Sequence, residues 1–375
     1  MKKHLFAAGA TLAFACSAHA QSNVTLYGLI DTALSWQTNQ VGTTAANGRA
    51  TSSGSSVALG PGFFNGSRWG LSGTEDLGGG LSALFRVEAG FSPTTGVSLQ
   101  GSREFGRQAY VGLKGSFGQL TLGRQYSVPF ETLLPFDTIG WANSSATDVW
   151  VQLLAGSRLD NTAKYVFTSG PWKFTAAYSF GGQAGSVSHG STYAAGLNYQ
   201  GSVFGAGFTA QQAKDLAGNK QSNLGAGASY VAGPVTLNGY YLYTRRDGAF
   251  TPTSGQDFSP TYGGYAALYT NPGNTNIGAS SAARTDNVFQ LGATWQATPA
   301  VQVKAAAIYD FARHVNANGE GGNKLSTFLI GDYFLSKRTD VYLAGAYSKT
   351  SSAFNGPFAG EDDSVSATLG LRHRF

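Results

Sequence analysis

The 375 residues carry a formal net charge of +5, and charged residues make up only 12% of the chain. A soluble surface ordinarily has about a quarter or more of its residues charged, so water alone is not expected to cover this one. The basic residues are scattered along the chain, which argues against a nucleic-acid-binding domain.

The chain opens on "MKKHLFAAGATLAFACSAHAQ", a basic start, an apolar run and the small-x-small site Ala18-His19-Ala20. That is the layout of a cleaved secretory signal, so residues 1–20 are expected to be removed and residues 21–375 to form one exported domain. A lipoprotein anchor at Cys16 is disfavoured, because Phe14 stands where a small residue is wanted. Cleavage removes the only cysteine and the only methionine, so the exported chain has no disulfide framework. With Lys2 and Lys3 gone, its net charge falls to about +3. No later stretch is apolar over the 18 or so residues a membrane helix needs.

The first mature segment, "VTLYGLIDTALSW", sets Val24, Leu26, Ile30, Leu34 and Trp36 against Thr25, Tyr27, Asp31 and Ser35. Alternation of period two puts the two sets on opposite faces of a β-strand. About sixteen such segments are expected, near 24–36, 66–76, 81–91, 104–114, 118–127, 159–168, 172–181, 191–200, 203–213, 221–231, 235–247, 285–296, 300–313, 323–335, 339–350 and 363–375. Each is roughly the length that crosses a bilayer when tilted.

The connections alternate between two kinds. Short ones, such as "DLGGG", "KGSFG", "VAGPV" and "ATPAV", hold the Gly and Pro that tight turns require. Long ones fall around 37–65, 92–103, 128–158, 182–190, 214–220, 248–284, 314–322 and 351–362. One end of the sheet therefore carries turns and the other loops, the pattern of a transmembrane antiparallel β-barrel with short periplasmic turns and long extracellular loops. A soluble sandwich would also alternate, but it would cover its outer face with charge and would not need aromatics at so many strand ends. Lipid–water interfaces suit such aromatics, and only a closed sheet satisfies its edge amides in lipid. An all-β barrel is the reading that fits.

Several stretches, in chain order, resemble the Gram-negative general diffusion porins of the β-proteobacterial type: "VTLYGLIDTAL", "SRWGLSGTEDLGGGLSALFRVEAGF", "GRQAYVGLKGSFGQLTLGRQY", "LDNTAKY", "DYFLSKRTDVYLAGAYSKT" and the terminal "LGLRHRF". The resemblance implies a sixteen-stranded barrel in the outer membrane, a homotrimer, and a third long loop, about 128–158, folded into the lumen as a constriction. It also implies passive, weakly charge-selective passage of ions and small hydrophilic solutes. A terminal Phe375 after an alternating strand is similar to the signal read by the outer-membrane assembly machinery.

If the apolar parity faces lipid, the lumen charges can be named. Trp69 and Leu71 facing out puts Arg68 inward; Leu81, Ala83, Phe85 and Val87 facing out puts Arg86 and Glu88 inward. Arg107 is ambiguous: parity with Ala109 and Val111 turns it outward, whereas the resemblance makes it a lumen arginine and puts Tyr110 outside. Arg124 has the same conflict and stays unassigned. The constriction loop offers Glu131, Asp137 and Asp148, with Arg158 where the chain rejoins the wall. Loop acids opposite wall arginines would set a transverse field across the passage. Fixed charge of this kind is how pores discriminate between ions, although lumen charges also pair with one another and simply keep the passage wet. Either sign of ion preference stays open.

Enzyme and metal signatures are not apparent. "GEGGNKLS" lacks phosphate-loop spacing, and His189, His314 and His373 have no paired-ligand spacing. No cofactor and no metal are expected. The alternatives to a general porin are a nutrient-specific porin, an adhesive barrel and a barrel hydrolase.

Overall fold

The computed structural model describes residues 23–44, 50–142, 154–253, 255, 282–315, 318–354 and 361–375. Among the described residues seventeen strands form one antiparallel sheet: β1 (Asn23–Thr44), β2 (Ala50–Pro61), β3 (Arg68–Gly78), β4 (Leu81–Gly90), β5 (Gln108–Gly115), β6 (Gly118–Tyr126), β7 (Arg158–Ser169), β8 (Trp172–Ser179), β9 (Thr192–Gln200), β10 (Phe204–Lys214), β11 (Lys220–Ala232), β12 (Val235–Arg246), β13 (Arg284–Thr298), β14 (Val301–Arg313), β15 (Gly322–Phe334), β16 (Thr339–Ser352) and β17 (Asp363–Arg374). Both β2 and β3 pair with β1, β2 above Thr32 and β3 below Leu29, so they share one position and the barrel has sixteen. Closure is made by β17 on β1, with Arg374 opposite Leu29 and Ser366 opposite Gln37.

The described part of the first long connection expected at 37–65 is mostly strand. β1 runs on to Thr44 and β2 returns beside it, and among the described residues, 62–67 leave the wall. Elsewhere the expected segments match the strands closely. The segment expected at 104–114 begins instead at Gln108.

The alternation has the outcome a membrane barrel demands. On β17, Leu369 is 58% exposed on the outer face while Thr368 beside it is 3% exposed on the inner. Exposed aromatics gather beside the short turns, with Phe117, Trp172, Phe204, Tyr230, Trp295 and Tyr333 all on the outside, as an interfacial girdle requires. The turn between β3 and β4 needs φ near +60 to +80° at Gly78, Gly79 and Gly80 in succession, a conformation that side chains with a Cβ rarely adopt.

Candidate functional site

The third long connection enters the barrel. Ser127 caps a short helix, α1 (Val128–Leu133), its Oγ accepting the Phe130 N–H at 3.3 Å, and Pro129 suits the first turn, where its missing N–H costs nothing. A 3-10 turn over Leu134–Phe136 follows. The segment packs on the inner wall of β9 to β13, and glycines make room for it. A Cβ at Gly227 would lie 2.3 Å from Phe136, one at Gly207 2.5 Å from the same ring, one at Gly225 2.8 Å from Leu133, and one at Gly196 2.3 Å from Thr132. Wall amides then hold the loop backbone: Asn198 donates to Thr132 O at 2.8 Å, Gln211 to Ala155 O at 2.6 Å and Asn223 to Leu154 O at 3.1 Å.

Opposite this docked face a cavity of about 790 Å³ remains, bounded by β3 to β8, by Phe130, Glu131, Leu134, Gly140 and Trp141 of the loop, and by Phe64, Asn65 and Gly66. Among the described residues seven basic side chains line it, Arg68, Arg86, Arg107, Arg158, Lys164, Lys173 and Arg374, against two acids, Glu88 and Glu131. Both acids are paired. Glu88 accepts from Arg107 Nε at 2.6 Å and from the Tyr27 hydroxyl at 2.9 Å, and Glu131 accepts from Lys164 Nζ at 2.9 Å. Arg107 also donates to the Tyr126 hydroxyl at 2.7 Å, and the Arg158 guanidinium lies over the Tyr126 ring, 4.9 Å from its centroid. Among the described residues Arg68, Arg86 and Lys173 make no ion pair.

Of the residues singled out in the sequence, Arg68, Arg86, Glu88, Arg107, Glu131 and Arg158 meet at this cavity. Arg107 precedes β5 and so escapes its parity: Val111 and Leu113 face out as alternation requires, while Arg107 turns in from the strand's open end. Tyr110, which the resemblance put outside and the parity of Val111 put inside, lines the cavity. Arg124 bonds Gly106 O at 2.7 Å and Asp160 at 2.6 Å, and does not line the cavity.

Asp137 lies on the back of the loop, against the wall. Its Oδ1 accepts the Trp141 N–H at 3.3 Å, and with the Gln290 amide oriented to suit both neighbours, Oδ2 accepts from Gln290 at 3.2 Å. Burial pushes its carboxyl up to about 7, against the pull of the Trp141, Gly140 and Ile139 N–H groups and of Lys304. Asp148 lies outside the described residues. The two described loop acids therefore do not form an open negative face opposite the arginines, because one is ion-paired and the other is turned to the wall.

The glycine socket escaped the sequence reading. Its signal was available: Gly207, Gly225 and Gly227 fall on the lumen parity of neighbouring strands, where polar side chains would be the default.

A comparison with known proteins matches the Gram-negative porin family over residues 7–353. An outer membrane porin protein of Bordetella pertussis is 31% identical, covering 100% of both chains, and the major outer membrane protein P.IB of Neisseria lactamica is 28% identical with the same coverage. Among solved structures, an anion-selective porin from Comamonas acidovorans superposes with a TM-score of 0.71 at 24% identity, covering 95% of this chain and 100% of that one. OmpT of Vibrio cholerae, solved in a trimer form, superposes with a TM-score of 0.62 at 13% identity, covering 94% and 99%.

Proposed function

The chain belongs to the Gram-negative porin family, and from that premise we propose that it is a general diffusion porin with a preference for small anions, exported by its N-terminal signal and assembled as a homotrimer. It is an outer-membrane β-barrel through which solutes pass passively. The observation that carries the anion preference is the imbalance at the cavity. Both lining acids are ion-paired, while Arg68, Arg86 and Lys173 have no carboxylate partner among the described residues. At physiological salt, screening reaches about 8 Å, so charges that line the cavity act on an ion that passes beside them. Among the described residues the unpaired charge at the cavity sits on the wall.

The wall arginines are not equivalent. Arg107 is neutralised by Glu88, with both side chains under a tenth exposed, and removing one partner of such a buried pair costs about 3–5 kcal/mol. Arg68 and Arg86 carry the unpaired charge. In a planar bilayer under a salt gradient, the reversal potential is expected to have the sign of an anion-preferring channel. Arg68→Gln with Arg86→Gln is expected to move it toward zero. A cation-preferring reversal potential in the unaltered protein would overturn the reading.

The homotrimer has its own support. Above Arg68, β2 pairs with β1 alone among the described residues, and its Val57 and Leu59 are exposed on the outer face. An open strand edge does not stand in lipid, so a second copy is the natural cover. Light scattering of the detergent-extracted protein tests it, with a monomer mass as the contrary result.

A further inference from the structure

The lumen parity is not wet all the way round. On β14 to β16, Ile308, Phe328, Ile330, Tyr342, Ala344 and Ala346 point inward, yet each is buried. Protein covers them, and part of that cover is the break in the wall between β2 and β3.

At residues 62–67 the chain turns into the barrel instead of continuing the ladder, and it is held there at every step. Gly62 N–H donates to Asp31 O and Asn65 N–H to Asp31 Oδ2, both at 2.8 Å, and Phe63 N–H donates to the Tyr342 hydroxyl at 2.7 Å. That hydroxyl donates in turn to Asp31 Oδ1 at 2.7 Å. Arg372 donates to Asn65 Oδ1 at 2.8 Å, and its guanidinium lies 4.6 Å from the Phe64 ring centroid, with the Lys304 ammonium at 5.2 Å. A Cβ at Gly62 would lie 1.7 Å from Asp31 Oδ1, so only glycine allows the approach. Phe63 packs edge-on against Phe328 and Phe64 against Tyr342, in the same apolar cluster as Ile139 and Trp141 of the constriction loop.

We propose that residues 62–67 are a second pore-shaping element, which meets the tip of the constriction loop, seals the β14 to β17 side of the lumen, and confines permeation to the arginine-lined side. The inference rests on the channel reading but not on its ion preference. The sealed sector holds Asp31, Asp332 and Asp340 beside Lys304 and Arg372, with Arg374 at its border with the cavity, so a path opened through it would carry no excess of basic charge.

The test is the Phe63→Ala/Phe64→Ala protein in planar bilayers. Single-channel conductance is expected to rise by about half or more, since conductance follows open cross-section, and the anion-to-cation permeability ratio to fall toward one with no charge altered. A purely structural loss would lower folded yield without that shift in ratio. Independently, Ala344→Cys in the otherwise unaltered chain, whose sole cysteine lies in the leader, is expected to resist a charged water-soluble thiol reagent, whereas Arg86→Cys reacts and changes the current. With both phenylalanines replaced, Ala344→Cys becomes reactive. Unchanged conductance in the folded double variant, or rapid modification of Ala344→Cys with the phenylalanines in place, would overturn the proposal. A cation-preferring wild type would defeat the anion reading alone, leaving conductance and thiol access to decide this one.

Discussion

Replacing Gly227 by alanine should release the constriction loop without unfolding the barrel. The new Cβ would lie 2.3 Å from Phe136 Cδ2 and 2.6 Å from its Cγ, and Phe136 is fully buried. Its ring has little room to swing aside, since it also fills the space a Cβ would occupy at Gly207 on the neighbouring strand, 2.5 Å from Cε2. Overpacking of this kind costs about 1–3 kcal/mol, and here it falls on the docked state of the loop, because β11 keeps its whole ladder to β10 and β12. At about 1.4 kcal/mol per tenfold, local opening should become roughly 5- to 150-fold more frequent. Hydrogen exchange reads this directly at the amides that close α1 and the turn after it, Glu131 to Ser127 O and Asp137 to Leu134 O. Exchange there should accelerate while β11 amides keep their protection, and open-channel current noise should increase. Gly331→Ala, where a Cβ meets nothing within 4 Å, is the control. Unchanged exchange at Glu131 and Asp137 in folded Gly227→Ala would refute the socket argument.

Further outcomes follow from the same geometry. Leu122→Arg places a charge on the outer face of β6, where Leu122 is 53% exposed, and should cost about 2–4 kcal/mol of folding free energy in lipid vesicles; Gln119→Arg, three residues away on the cavity side, should leave stability within error and change conductance. Equal losses would mean the parity is misassigned. Because burial raises the Asp137 carboxyl from 3.8 to about 7, the docked loop binds the proton more tightly than the released loop does. Docking is then strongest below pH 4 and weakens as pH rises toward 7. Loop exchange, corrected for its intrinsic pH dependence, should speed up across that window, and Asp137→Asn should abolish the trend. Deleting Phe375, whose N–H and C=O pair with Gly28 at 3.0 Å each, should impair insertion in cells more than refolding in detergent, and equal impairment would count against an assembly signal.

The strands were legible because each writes its two environments into alternate residues. Val24, Leu26, Ile30 and Trp36 needed no partner to declare an apolar outside, and Phe289, Leu291 and Trp295 did the same on β13. Loops had no such record. "GPGFFN" fell at the end of the long connection expected at 37–65; its place is decided by Asp31, Tyr342 and Arg372, which lie far from it in sequence. Arg107 was ambiguous because parity fails one residue beyond a strand's end. The orientation of Asp137 was not legible, because an acid in a loop says nothing of which side of the loop meets water.

The sequence by itself determined a closed membrane barrel with turns at one end and loops at the other, because the period of two, the strand length and the aromatic ends are all local. Only the tertiary structure decided which part of the lumen is water. Whether an inward side chain meets solvent depends on what the constriction loop and residues 62–67 bring against it. Those contacts join residues tens to hundreds of positions apart. Ile308 and Phe328 lie on the same parity that elsewhere exposes Arg86, and one side is dry and the other wet because protein fills the first and leaves the second open.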